Sequence, residues 1–189
     1  MRLAQGEACF EVTTDPARPF YVETPSGTVR VTGTRFNVRA DAPGVLEVTV
    51  LEGSVAVETV APGAAASPAH FDLAPRDQVS VADGLTMKRQ LAADATDHVV
   101  AWREGKIVFD ETPLHVALAR FATYHDRKLT VDPAAANHPL GGRYTLDDLD
   151  EFIAALERSL PVKAQRDNSG AIRLIAIERL PARPAPGNR

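Results

Sequence analysis

The side chains of this 189-residue chain that could do chemistry are five histidines, one cysteine and a run of carboxylates. The histidines are His70, His98, His115, His125 and His138, and none shares helical or Cys/His spacing with another ligand. His115 and His125 flank one amphipathic stretch, which is not the short spacing of a zinc site. Asp147, Asp148, Asp150 and Glu151 crowd one spot. They suit a divalent cation or acid–base work, but they open a helical pattern, where negative charge complements the N-terminal dipole. Gly141-Gly142 lacks phosphate-loop spacing, and no Gly-x-Ser-x-Gly motif marks a nucleophile. Cys9, the only cysteine, forbids an intrachain disulfide and is expected on the apolar side of a strand as a small hydrophobe. The residues therefore point to no enzyme, no metal and no cofactor.

The charge pattern excludes a further class. The net charge is −4 with Lys and Arg scattered, so the electrostatic footprint of a nucleic-acid binder is missing. No apolar run approaches the roughly 20 residues that span a bilayer, and no signal-peptide pattern follows Met1.

The elements that would position a site come in two styles. Residues 1–91 alternate in the β manner, with strands expected at Leu3–Val12, Phe20–Glu23, Thr28–Val31, Phe36–Arg39, Leu46–Leu51, Ser54–Glu58, Phe71–Ala74, Gln78–Val81 and Leu85–Arg89. Turns are expected at Asp15-Pro16, Pro25-Ser26-Gly27, Ala42-Pro43-Gly44, Pro75-Arg76-Asp77 and Asp83-Gly84, with a loop at Ala61–Ala69. Gly33 and Gly53 each break a valine-rich run, where a larger residue would strain the bend. Many short strands at even spacing suit a sandwich, a barrel or a β-solenoid.

From residue 92 the pattern changes. A connector helix over Asp94–Arg103, closed by Gly105, fills residues 92–105. Residues 106–178 then read as an α+β lobe of two successive βαβ units, the second closed by a hairpin across Asn168-Ser169-Gly170. Its first helix starts at Thr112-Pro113 and carries Leu114, Ala117, Leu118 and Phe121 on one stripe. Its second runs over Leu146–Ser159 from a capping box at Thr145 and Asp148. The first stripe packs on the lobe's own sheet or, in part, meets a partner. A sheet of few strands also has edges open to β-augmentation. Trp102, the only tryptophan, sits where the two regions meet and is expected as an interlobe core residue, with sugar stacking the sharper alternative. Residues 179–189 read as a disordered tail.

Several stretches match something known. Gly6-Glu7-Ala8-Cys9-Phe10-Glu11-Val12, Arg18-Pro19-Phe20-Tyr21-Val22, Val31-Thr32-Gly33-Thr34-Arg35-Phe36-Asn37-Val38 and Val48-Thr49-Val50-Leu51-Glu52-Gly53-Ser54-Val55 strongly resemble the FecR family of anti-sigma regulators. Trp102-Arg103-Glu104-Gly105-Lys106-Ile107-Val108-Phe109, Pro113-Leu114 and Gly142-Arg143-Tyr144 are similar to that family's C-terminal part and to the short STN domain of secretins and TonB-dependent receptors.

The resemblance implies a β-solenoid or β-helix-like lobe over 1–91 and a small STN-like lobe, βαβ then βαββ, over 106–178. It implies the periplasmic sensor region of a single-pass inner-membrane protein in a Gram-negative bacterium. That region receives a signal from the N-terminal domain of an outer-membrane TonB-dependent transducer, commonly for ferric siderophores. An extracytoplasmic-function (ECF) sigma factor is reached only through a cytoplasmic segment, and the membrane only through a transmembrane helix. This chain shows neither and is expected to be the sensor region alone, with Met1 an added or internal start. The implied docking residues are Leu114, Leu118 and Phe121 on the first helix, with Leu129, Val131 and Tyr144 on strands of the same lobe. Cys9 stands where the family more often has an aromatic or small apolar residue. The rival class is an envelope carbohydrate-binding or hydrolytic β-domain built on Trp102 and nearby carboxylates. A third is a structural or adhesion domain.

Overall fold

The computed structural model describes residues 1–41, 44–60, 68–82 and 85–177. The expected turns at Ala42-Pro43 and Asp83-Gly84, most of the expected loop at 61–69, and the expected tail therefore lie outside the described residues. The chain divides into two compact units, Met1–Val108 and Phe109 onward.

Among its described residues the first unit has β1 (Gly6–Glu11), β2 (Phe20–Thr24), β3 (Gly27–Val31), β4 (Arg35–Ala40), β5 (Leu46–Glu52), β6 (Val55–Thr59), β7 (Ala69–Leu73), β8 (Asp77–Ala82) and β9 (Leu85–Gln90), nine strands, and then the short helix α1 (Ala95–Val99). All nine were anticipated by the alternation. They form a four-stranded sheet in the order β2-β3-β6-β7 and a five-stranded sheet in the order β1-β4-β5-β8-β9. Every ladder in them is antiparallel. After β1 the chain lays one hairpin in the first sheet, one in the second, and repeats. It advances without turning back, as a solenoid does. A single-stranded β-helix pairs its strands in parallel, however, and here each pair is antiparallel, giving two open sheets over one core.

That core follows from period two. Val22, Val29, Val31, Val55, Val57 and Leu73 point inward from one sheet, and Phe36, Val38, Leu46, Val48, Val50, Val79 and Val81 from the other, all at most 3% exposed. Phe10 stacks on Phe36 with ring centroids 5.1 Å apart. Cys9, the next residue along β1, therefore faces away from the core, opposite Asn37. The expected apolar placement of Cys9 fails because Phe10 takes the inward position.

Gly33 and Gly53 lie at successive crossings between the sheets. Both have positive φ, +148° and +84°. A Cβ on Gly53 would lie 2.7 Å from the Gly33 carbonyl oxygen, and one on Gly33 would lie 2.4 Å from Thr14 Oγ1. The crossings are thus stacked. Thr34 exchanges backbone hydrogen bonds with Val12 at 3.0 and 3.1 Å, and its Oγ1 donates to the Ser54 carbonyl at 2.7 Å. Arg76, at +71°, takes the corresponding left-handed place at the β7–β8 crossing. There the Asp77 carboxylate accepts from the Ala74 amide at 3.0 Å and pairs with Lys88 at 3.0 Å.

The Ala74 amide bond, with Lys88 beside it, holds the Asp77 carboxyl below its ordinary range. A depressed folded pKa stabilises the fold above the unfolded value of about 3.9 and loses that contribution as pH falls through the folded value. Asp77→Asn is expected to flatten the loss of stability below about pH 4, read as thermal midpoint against pH. An unchanged slope would remove Asp77 from that role.

The second unit contains the end of β10 (Lys106–Pro113), α2 (Leu114–His125), β11 (Leu129–Val131), β12 (Pro139–Thr145), α3 (Leu149–Ser159), β13 (Val162–Arg166) and β14 (Ile172–Ala176). Two successive βαβ units would set β10 beside β11 and β12 beside β13. Instead β10 pairs with β12, and the three-stranded sheet runs β11-β14-β13, so the units interlock. β11 is parallel to β14, and β13 is antiparallel to it. Periodicity predicts which face of a strand is buried, not which strand lies beside it.

The helix starts also differ from expectation. α2 begins after Pro113, and its first amides bond the His138 and Ala136 carbonyls at 2.9 and 3.0 Å, in place of a Thr112 cap. α3 begins at Leu149 with Asp148 as its cap, accepting from Glu151 N at 2.9 Å. Thr145 ends β12 instead.

Candidate functional site: the open face and edge of the second unit

The docking residues expected on α2 are core. Leu114, Leu118 and Phe121 are 0–1% exposed, and Leu129 is also buried. Phe121 stacks on Phe152 of α3 with centroids 3.8 Å apart and planes 5° from parallel. His125 stacks on Phe121 at 5.3 Å, and Arg120 lies over the Phe109 ring. Tyr144 meets Phe152 edge-on at 5.0 Å; burial of its ring raises the phenol pKa. Tyr144 and Val131 are half-buried. As a group these residues join the two helices to the sheet.

The surface left open is the other face of the three-stranded sheet. The register sets Thr130, Arg173 and Gln165 in one row across β11, β14 and β13. Lys128, Thr130, Gln165, Arg166 and Arg173 line a shallow cleft of about 310 Å³ there. Arg173 pairs with Asp132 at 2.5 Å and Arg166 with Asp150 at 2.5 Å, and on β13 Lys163 pairs with Glu157 at 3.2 Å. Exposed pairs of this kind contribute little to stability and exchange readily.

β13 is an edge. Its Ala164 amide points away from β14 and donates to Glu157 Oε1 at 2.7 Å. That bond and Lys163 hold the Glu157 carboxyl below its ordinary range. A side-chain carboxylate thus occupies the place where the carbonyl of an added strand would sit.

Among the described residues no three His, Cys, Asp or Glu side chains are placed to hold a metal ion. Asp148 caps α3 and Asp150 pairs with Arg166, as negative charges at a helix start do. Trp102 lies within the first unit, half-buried, and its indole N–H donates to Asn37 Oδ1 at 3.2 Å. Asn37 in turn donates to Glu7 at 2.7 Å. The indole edge and the carboxylate are both engaged in this chain of bonds. Among the described residues no helix is long and apolar enough to cross a membrane.

The first unit is two antiparallel sheets of stacked crossings, and the second is a small α+β unit. Residues 1–56 match the family described as FecR protein. A crystal structure of a candidate anti-sigma factor from Parabacteroides distasonis at 1.65 Å is similar at 25% identity, with a TM-score of 0.76, over 92% of this chain and 79% of that one. A second crystal structure of a candidate anti-sigma factor from that organism, at 2.50 Å, is similar at 25% identity and a TM-score of 0.75, over 92% and 78%. No curated protein matches the chain. The FecR family match is confined to residues 1–56, and the candidate anti-sigma factors share the fold over 92% of the chain.

Proposed function

We propose that this chain is the periplasmic sensor region of a membrane-spanning anti-sigma regulator. In this reading it is not an enzyme. It receives the N-terminal signalling domain of an outer-membrane TonB-dependent transducer, in the service of iron–siderophore uptake. It passes that state to an ECF sigma factor through the cytoplasmic and membrane-spanning segments the family implies. The observation that carries the reading is the correspondence with an anti-sigma factor over 92% of the chain, across both units.

The receiving element is the STN-like lobe over residues 106–178, and within it the β13 edge and the cleft beside it. An incoming strand of the transducer domain replaces Glu157 at the Ala164 amide. The surface ion pairs then re-form with the partner. The β-rich region serves as scaffold toward the membrane.

Titrating the full chain with transducer signalling domains from the same genome tests this. One domain is expected to bind. Ala164→Pro removes the outward donor and leaves the β14 ladder intact, so it is expected to weaken binding about tenfold or more with folding preserved. Undiminished affinity of the Pro variant would remove the β13 edge from the docking site. Binding by none of the domains would sink the receiving role.

A further inference from the structure

The outer face of the five-stranded sheet is polar, yet it is buried. Asn37, Arg39, Thr49 and Gln78 are 1%, 7%, 0% and 2% exposed. They alternate with Phe36, Val38, Val48, Val50 and Val79, so they point away from the hydrophobic core. Above them lies the stretch from α1 (Ala95–Val99) through a 3-10 turn (Ala101–Glu104). α1 packs against β5, and Trp102 reaches down to Asn37.

The layer satisfies itself without this cover. Gln78 Nε2 donates to Thr49 Oγ1 at 2.8 Å, and Arg89 Nε donates to Gln78 Oε1 at 2.8 Å. Arg39 pairs with Glu47 at 3.0 Å and with Asp41. Burial works against its charge, but these carboxylates hold the guanidinium protonated. Asn37 keeps Glu7 as its second partner.

The cover satisfies itself too. Ala95 N bonds the Ala92 carbonyl, Thr96 Oγ1 the Ala93 carbonyl, Arg103 N the Val100 carbonyl and Gly105 N the Trp102 carbonyl. Of the hydrogen bonds described for residues 95–105, one reaches the sheet, that from Trp102 to Asn37. Within 95–104 only Ala101 is fully buried. Ala95, Val99, Val100 and Trp102 are half-buried, so partial apolar contact, not a stripe of fully buried side chains, holds the segment down.

We infer that residues 95–104 form a detachable strap, clamped to the five-stranded sheet by Trp102 on Asn37 and able to lift without unfolding the sheets. Lifting breaks the Trp102–Asn37 bond, exposes the half-buried apolar side chains of the segment and wets a face already polar. Local opening of this kind belongs to the low-stability end of a fold. The strap immediately precedes the point where the chain passes from the first unit to the second. Its two states therefore give the FecR-type scaffold a hinge segment of variable length. The inference stands on the first unit alone and does not depend on the proposed partner.

The full chain carries its own probe, because Trp102 is its only tryptophan. Trp102 emission is expected to shift to the red, and its quenching by acrylamide to rise, at denaturant concentrations that leave β4 and β5 amides protected from exchange. A shift coincident with loss of that protection would overturn the strap. Trp102→Phe removes the single donor and is expected to speed exchange of the 97–105 amides about fivefold, the loss of one ordinary hydrogen bond. β4 amides are expected to keep their rate. Equal acceleration in both places, or in neither, would also overturn it.

Discussion

Gly53→Ala is expected to destabilise the first unit by about 3 kcal/mol or more. Two costs add at this position. An L-residue at φ +84° is strained by roughly 1–2 kcal/mol. The new methyl also meets the Gly33 carbonyl oxygen at 2.7 Å, with Thr34 atoms at 3.1 and 3.2 Å behind it. Those neighbours cannot yield cheaply. Gly33 is itself pressed against Thr14, and Thr34 is bonded to Val12 on one side and Ser54 on the other.

Gly44 supplies the control. Its φ is +83°, and a Cβ there meets nothing within 4 Å. Gly44→Ala therefore carries the conformational cost alone, about 1–2 kcal/mol. The difference between the two variants isolates the stacking of the crossings. It is read from urea dependence of amide exchange in β4 and β5. Equal costs at the two glycines would show that the crossings have room to part, and the stacked arrangement would not hold the sheets.

The same glycines show how far the sequence could be read. Alternation of valines marked all nine strands of the first unit, because burial on one face leaves a period of two. That Gly33 and Gly53 touch was not readable. Contact between residues twenty apart depends on how hairpins are shared between sheets. The polar layer was hidden for a related reason. Asn37, Thr49 and Gln78 alternate with core residues as the solvent face of a strand does, yet Glu7, Arg89 and the strap above cover them. The available signal was a lone tryptophan in a short helix with little apolar stripe beneath it.

In the second unit the helical stripes were legible, but strand partners were not. β11 has three residues and β12 is interrupted by two glycines, too little pattern to choose a neighbour. The role assigned to the α2 stripe suffered from the same gap. A stripe of leucines says that something covers it. Only the stacking of Phe121 on Phe152 says that α3 of the same unit does.

Leu118→Ala carries that distinction to a measurement. Leu118 is 1% exposed, beside Leu114 and Phe121 at 0%. Truncating it deletes buried methyls and leaves a cavity that a stacked aromatic core collapses into poorly. The expected loss is about 2–5 kcal/mol of stability, against native domains held by about 5–15 kcal/mol in total. The thermal midpoint of the second unit should fall by about 10 °C or more. Partner affinity, measured well below that midpoint, should stay within about twofold, because the proposed docking edge and cleft do not include the α2 stripe. The converse result, an unchanged midpoint with affinity lost, would place Leu118 on the interface after all. It would mean that α2 turns its stripe outward when the proposed partner binds. Ala164→Pro and Leu118→Ala thus form a pair, one expected to move binding and not stability, the other stability and not binding.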